Sequence, residues 1–367
     1  MKRGFLLNVT ALLLLIPILL LVATYESVSS TIISGQITRT QAETMYFNVD
    51  TIQKDLQNVV DLSIKRAYLT LTEYVITHNV FVNNASRILE ELIINGTING
   101  RVQPTMKNMT LKKWFNNVIT YLRDKGMSIE PSTPDELESH LDILVGPLDS
   151  FHIAVRVKIK NITIRDNSGI VKYQGDIGYV YSVVSVVGFE DPFIVKELNG
   201  LYTRVIMPCR IPFPGPLYGY YNPNSTDDID ELALEQCYVG LSDNKTAGVY
   251  YPSILERFEG DIGNHDYYLS VAVILQKDLG YTEQLPIGLV TFMVPSTDST
   301  LIGAFTSLGI SAPLNSTSVD YYYLKCAVEG EECLGGYPLL NSPYPDLRFD
   351  NATAIALFNT TEALDTG

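Results

Sequence analysis

Apolar positions along the chain fall into three regimes. Phe5 to Ala23 is almost wholly Leu, Ile and Val, interrupted by Asn8, Thr10 and Pro17. A helix of this length, rising about 1.5 Å per residue, crosses the ~30 Å hydrocarbon core of a bilayer. A secretory signal has a shorter apolar core and an Ala-x-Ala-like cut site, whereas Thr24-Tyr25-Glu26 follows here. The run predicts a retained transmembrane helix over 5–24 behind a short basic leader, 1–4. Pro17 fits, because proline is tolerated in membrane helices.

The pattern then becomes periodic. Residues 26–95 hold no proline, and Met45, Val49, Ile52, Leu56, Val59 and Ser63 recur at alternating four- and three-residue steps. Val60, Ile64, Ala67 and Leu71 continue a neighbouring stripe. This spacing predicts a long amphipathic helical region over 25–100, with a break near Thr77–Asn79 and an end at the turn-rich Asn95–Gly100. Its apolar seam either lies on the chain's own domain or meets another subunit, as in a coiled coil. Short helices are expected over 101–150. One carries Leu111, Trp114, Phe115, Val118 and Leu122 on one side and stops at Gly126. A second is capped by Thr133, with Pro134 in its first position, and ends at Gly146-Pro147.

From Phe151 the period changes to two. FHIAVRVKIKNITIRD places Phe151, Ile153, Val155, Val157 and Ile159 on one face of a strand. Asp166–Gly169 reads as a turn, IVKYQ as the returning strand and GYVYSVVSVVGF as another. Further strands are expected at Leu201–Pro208, Tyr268–Gln276, Ile287–Val294 and Val319–Ala327, with Tyr321–Tyr323 inside the last. The fold class is therefore α+β: a transmembrane helix extending into a long amphipathic one, short helices, and a mainly antiparallel, β-rich extracellular domain over 151–350. Residues 351–367 form a polar tail.

Charge and cysteines bear on location. The net charge of -15 leaves no basic footprint, so no nucleic-acid partner is expected. Lys2 and Arg3 are the only charges before the apolar run. By the positive-inside rule they stay in the cytoplasm. The expected placement is a single pass of the cell membrane with the bulk of the chain outside. Asn-x-Ser/Thr occurs at Asn84, Asn95, Asn108, Asn161, Asn224, Asn244, Asn315, Asn351 and Asn359, as expected of an exported glycoprotein. The alternative is a composition rich in Asn, Ser and Thr. Cys209, Cys237, Cys326 and Cys333 lack zinc spacing and suggest two disulfides. Three connectivities exist; proximity favours Cys209–Cys237 with Cys326–Cys333, and the alternative is four buried thiols.

Candidate chemistry is sparse. His78, His140, His152 and His265 form no HExxH, and no GxSxG elbow, P-loop or dinucleotide fingerprint occurs. The chain reads as non-enzymatic, with no cofactor. Glu259, Asp261, Asn264 and Asp266 cluster in RFEGDIGNHDYY and are the calcium candidates, without EF-hand spacing. The plainer reading is a solvated acidic loop. Asp227, Asp228, Asp230 and Glu231 suit a helix N-terminus. Tyr218, Tyr220 and Tyr221 are candidates for an interface or for stacking on sugars.

Lys2-Arg3-Gly4, then Phe5 and an apolar helix running into an amphipathic one, resembles archaeal type IV pilin-like proteins. The resemblance implies a cut between Gly4 and Phe5 and a mature helix that anchors or assembles. Val9 stands where many pilins carry glutamate, which implies an accessory or anchored member over a main filament subunit. GFEDPFIVKELNG, YYPSILERFEG and IGLVTFMVPSTDS, within Ser185–Ser299, look like segments of a group of archaeal membrane-anchored envelope proteins; that likeness brings no catalytic residue. The expected function is filament or envelope assembly, or adhesion. Partners would be the membrane, further copies of the chain or other pilin-like or envelope proteins, through the N-terminal helix. The alternative is an extracellular domain binding carbohydrate or calcium; an envelope hydrolase comes third.

Overall fold

The computed structural model describes residues 2–209, 237–243, 245, 248–294, 298–310, 317–330, 337–340, 348–349, 354–355 and 364–365. The helices among them are α1 (Lys2–His78), α2 (Ala85–Asn95), α3 (Leu111–Asp124), α4 (Pro192–Glu197), α5 (Ile254–Glu259), α6 (His265–Asp278), α7 (Ser299–Leu308) and α8 (Asp320–Glu329). The strands are β1 (Thr97–Ile98), β2 (Arg101–Val102), β3 (Met127–Glu130), β4 (Leu141–Asp149), β5 (His152–Asp166) and β6 (Lys172–Ser185). They continue with β7 (Tyr238–Leu241), β8 (Gly288–Met293), β9 (Ser318–Val319), β10 (Tyr337–Leu340), β11 (Arg348–Phe349) and β12 (Leu364–Asp365). The chain is α+β, with a long apolar helix at its start. It divides into two compact units, one of Met1–Asp55, Asn116–His140 and Ile159–Gly178, the other of Leu56–Phe115, Leu141–Lys158 and Tyr179–Gly367.

In the first unit, α1 buries Met45, Asn48 and Ile52. Asn48 is satisfied there, since its amide meets Met127 Sδ at 3.5 Å and its carbonyl accepts from the Tyr121 hydroxyl at 3.1 Å. β3 runs antiparallel to β5, with Ile129 opposite Ile164. The chain turns back at Asp166–Gly169, where the Asp166 carboxylate accepts from Val171 N at 2.9 Å.

In the second unit, β7, β8 and β9 form an antiparallel sheet in which Tyr238 faces Thr291 and Phe292 faces Val319. All six residues of β8 are buried, so both sheet faces are covered. Val290 and Phe292 pack with Val239, Leu241 and Phe349. Met293 packs with Phe193, Ile194, Leu301, Phe305 and Tyr323 from three helices, α4, α7 and α8. α6 crosses β4, placing Val271 and Leu275 against Leu148 and Ala154. Leu56, Val60, Ile64, Ala67, Tyr68, Leu71 and Val75 of α1 are buried. The Tyr68 ring meets Phe189 and Phe258 edge-on at 5.0 and 5.5 Å.

Several expected elements stand. The long helix, its break at His78, the end of the helical region at Asn95, α3, and the strands β5 and β8 are all present, and α2 within that region is capped by Asn84 and by left-handed Gly96. Of the two fates for the α1 seam, covering by the chain itself is observed at Met45, Ile52, Leu56, Val60, Ser63, Ile64, Ala67, Leu71 and Val75, which are buried, while Val49 and Val59 are partly so.

Others are corrected. Among the described residues after 151, helices α4 to α8 interleave with the strands, so that part is mixed rather than mainly β. Tyr268–Gln276 lies in α6 rather than a strand, and Val319–Ala327 is mostly α8, Tyr321–Tyr323 included. The helix expected after Thr133 shrinks to a 3-10 turn at Glu136–His140, followed by strand β4. Gly146 does not stop a helix. It sits in β4 because a Cβ there would strike the Val271 side chain of α6, a close approach that only glycine permits. IVKYQ and GYVYSVVSVVGF fall largely within one strand, β6. Leu201–Pro208 forms only isolated bridges, at Val205 and Pro208. In the polar tail, β12 pairs parallel with β10, beside the antiparallel β11.

Candidate functional site

The first part of α1 is the feature most unlike a globular core element. No side chain from Leu15 to Thr44 is buried, although Leu15, Ile16, Ile18 to Val22, Val28, Ile32, Ile33 and Ile37 are large and apolar. An apolar surface of this extent needs cover that water does not provide. Several of its hydroxyls bond back to the carbonyls of the helix. Thr24 donates to the carbonyls of Leu20 and Leu21, Thr31 to Ser27 and Thr38 to Ser34, each within 3.0 Å. That is the condition a segment must meet in lipid. The helix is long and apolar enough to cross a membrane. Gly4 and Phe5, the implied cut site, lie within α1.

The polar interior of the second unit is a buried ion network. Arg257, on α5, is fully enclosed. Its Nε donates to Asp191 Oδ1 at 3.0 Å, its Nη1 to the Leu289 carbonyl at 3.0 Å, and its Nη2 to both Asp191 Oδ2 and Asp320 Oδ2. Asp191 also caps α4 through Phe193 N at 3.0 Å and accepts from the Tyr238 hydroxyl. Burial works against the Arg257 charge, but Asp191 and Asp320 outweigh it and hold the guanidinium well above its ordinary pKa. The network joins α4, α5, β7, β8 and the start of α8, and it offers no surface to a substrate.

His265, at the start of α6, is also enclosed. Its Nδ1 lies 2.9 Å from Glu256 Oε1 and its Nε2 2.9 Å from Asp243 Oδ2. Burial opposes its charge, yet the hydrogen bonds to Asp243 and Glu256 raise its pKa to about 10. With both ring nitrogens donating, it is an imidazolium and has no lone pair to act as a base. A cavity of about 170 Å³ adjoins Asp243 and Lys245. The Asp243 oxygens are committed to His265 and to Tyr251 N at 3.2 Å.

The calcium candidates are not brought together as a cation cage. Glu259 is buried and accepts from Ala85 N at 2.7 Å, from Asn264 Nδ2 at 2.7 Å and from the Tyr268 hydroxyl. Asp261 accepts from Gly263 N at 2.8 Å in its own turn, and Asp266 is exposed on α6. Among the described residues, no group of three or more His, Cys, Asp or Glu is placed to hold a metal ion.

Cys209 and Cys237 are joined by a disulfide, and Cys326 is also disulfide-bonded; Cys333 lies outside the described residues. So do Tyr218, Tyr220, Tyr221, Asp227, Asp228, Asp230 and Glu231, and the sequons at Asn224, Asn244, Asn315, Asn351 and Asn359. Of the remaining sequons, Asn108 and Asn161 are exposed at left-handed turns, and Asn95 has its carbonyl oxygen buried without a partner. Asn84 lines an open cleft of about 510 Å³ with Tyr74, Phe81, Asn83, Arg87 and Glu91. The cleft was not foreseen, because its walls come from α1, α2 and the segments flanking α2. Arg257 and its partners were missed for a similar reason, since Asp191, Arg257 and Asp320 are separated by 66 and 63 residues. The one local signal was Asp191-Pro192, a cap followed by proline in the first helical position.

No family model matches the chain, and no curated protein or solved structure is found similar to it.

Proposed function

We propose that the chain is a non-enzymatic, membrane-anchored, pilin-like surface protein that serves envelope or filament assembly or adhesion. The reading rests on one observation above the rest. A single helix buries no side chain from Leu15 to Thr44, where it is mostly apolar, and buries one face from Met45 to Val75. Such a helix is an anchor at one end and part of a folded body at the other. The Cys209–Cys237 disulfide supports an oxidising compartment for that body. Lys2 and Arg3 support a cytoplasmic N-terminus. The commitment of both His265 nitrogens and the enclosure of Arg257 support a structural use of the buried polar groups.

Protease treatment of intact cells tests the placement, with degradation of the bulk of the chain expected. A chain degraded only after lysis overturns it. Sequencing the native N-terminus and sizing the native particle then separates the modes: Phe5 in a large particle marks an assembling subunit, and Met1 in a small one a plain anchor.

A further inference from the structure

The cleft beside α2 has on its wall Asn84, the first residue of the Asn-x-Ser sequon Asn84-Ala85-Ser86. The Asn84 Oδ1 accepts from Arg87 N at 2.9 Å and so caps the helix. Its Nδ2 has no hydrogen-bond partner among the described residues. The other free amides of the helix start are already taken, Ala85 N by Glu259 at 2.7 Å and Ser86 N by the Tyr268 hydroxyl at 3.3 Å. The helix terminus therefore has nothing left to offer an anion. Glu91, on the same wall, has both oxygens committed, to the Thr97 hydroxyl and to the backbone amides of Asn99 and Gly100. The cleft is also lined by Tyr74, whose ring stacks on His78 at 4.4 Å, and by the exposed Asn83 and Arg87, while the Phe81 ring at its edge packs against Phe193 and Lys196. A tyrosine ring next to groups that bond hydroxyls suits a neutral sugar, and the volume lies in the range of small-ligand sites.

We propose that this cleft seats the first sugars of an N-linked glycan carried by Asn84. The inference rests on the reading that the second unit lies outside the membrane. In the modification, Asn84 Nδ2 attacks the anomeric carbon of a lipid-linked oligosaccharide. An N–C bond replaces the C–O bond to the lipid phosphate, which departs with the electron pair while the nitrogen loses one proton. The carbonyl oxygen is untouched, so the helix cap survives. Ser86 is buried, with its hydroxyl donating to the Val145 carbonyl at 2.5 Å. The transferase, which reads that hydroxyl, therefore acts before β4 packs on α2.

The test uses the full-length protein from its native membranes, with glycopeptides mapped by mass spectrometry. Asn84 is expected to be occupied, and its glycan to be trimmed by glycosidases at least about tenfold more slowly in the folded protein than one on exposed Asn161. Tyr74→Ala is expected to bring the two rates together. Asn84→Asp keeps the cap and is expected to lose one glycan mass and to melt a few degrees lower than the wild type. A bare Asn84 beside modified Asn108 and Asn161 overturns the proposal and leaves the surface placement standing. Equal trimming rates in the wild type overturn it as well. If all three asparagines are bare the proposal falls, and protease accessibility of intact cells alone decides the placement.

Discussion

Arg257 is fully enclosed, and its charge is met by the carboxylates of Asp191 and Asp320, with the Leu289 carbonyl taking a further hydrogen bond. Removing it leaves Asp191 and Asp320 buried near each other without a cation. Burial already pushes the Asp320 carboxyl up against the pull of Arg257. Arg257→Met is therefore expected to cost about 3–5 kcal/mol in denaturant unfolding, although methionine fills much of the space. A cost below about 1 kcal/mol would show that the network is not under this constraint. His265 gives a pH signature. Its pKa rises from 6.5 when unfolded to about 10 when folded. The stability it confers is complete below pH 6.5 and is lost as pH climbs towards 10. Glu90 acts with the same sign, as burial raises it from 4.5 to about 7, so its contribution fades between those values. The melting temperature should fall steadily from pH 5 to pH 10. In His265→Gln the part of that fall above pH 6.5 should flatten, and in Glu90→Gln the part below pH 7.

At the scale of elements, α1 contains two surfaces in one helix. Leu56→Ala removes a fully buried side chain and is expected to cost about 2–5 kcal/mol. Leu21→Ala, on the bare stretch, should leave the unfolding of the body unchanged and weaken membrane retention instead. The buried stripe was legible because Ile52, Leu56, Ile64 and Leu71 recur at helical spacing and nothing in their propensities contradicts it. α6 was not. Its buried positions, Tyr68-like in spacing, are Tyr268, Val271, Ala272 and Leu275, which do follow a helical period. Val273 and Ile274 lie between them and are exposed, so an apolar run hid the period and β-branched side chains suggested a strand. In α8 three consecutive tyrosines had the same effect. Tertiary burial overrode local propensity in both. Gly146 misled for a different reason, because a glycine that admits a neighbour looks in sequence like a glycine that ends a helix. The cleft and the ion network were illegible because each is assembled from distant segments, and no single stretch holds enough of either.

For the whole molecule, the bare stretch and the folded body make separable demands. A chain begun at Thr40 keeps every buried side chain of α1. It is expected to dissolve without detergent and to unfold at the same denaturant concentration as the full chain, as followed by circular dichroism. A truncated chain that aggregates or loses its cooperative transition would show that the N-terminal residues support the body itself. The net charge of -15 favours the soluble outcome, since like-charged surfaces repel one another.

The Cys209–Cys237 bridge spans 28 positions of sequence. Any single peptide bond hydrolysed between those cysteines leaves two fragments still covalently joined. The carboxyl-terminal fragment then remains tethered, through sulfur, to the fragment that begins with α1. Clipping in this span is therefore silent on a non-reducing gel and appears as two bands only after a thiol is added. Release of the part that follows such a cut takes two events, the cut and a reduction, and either one alone leaves the covalent chain joined.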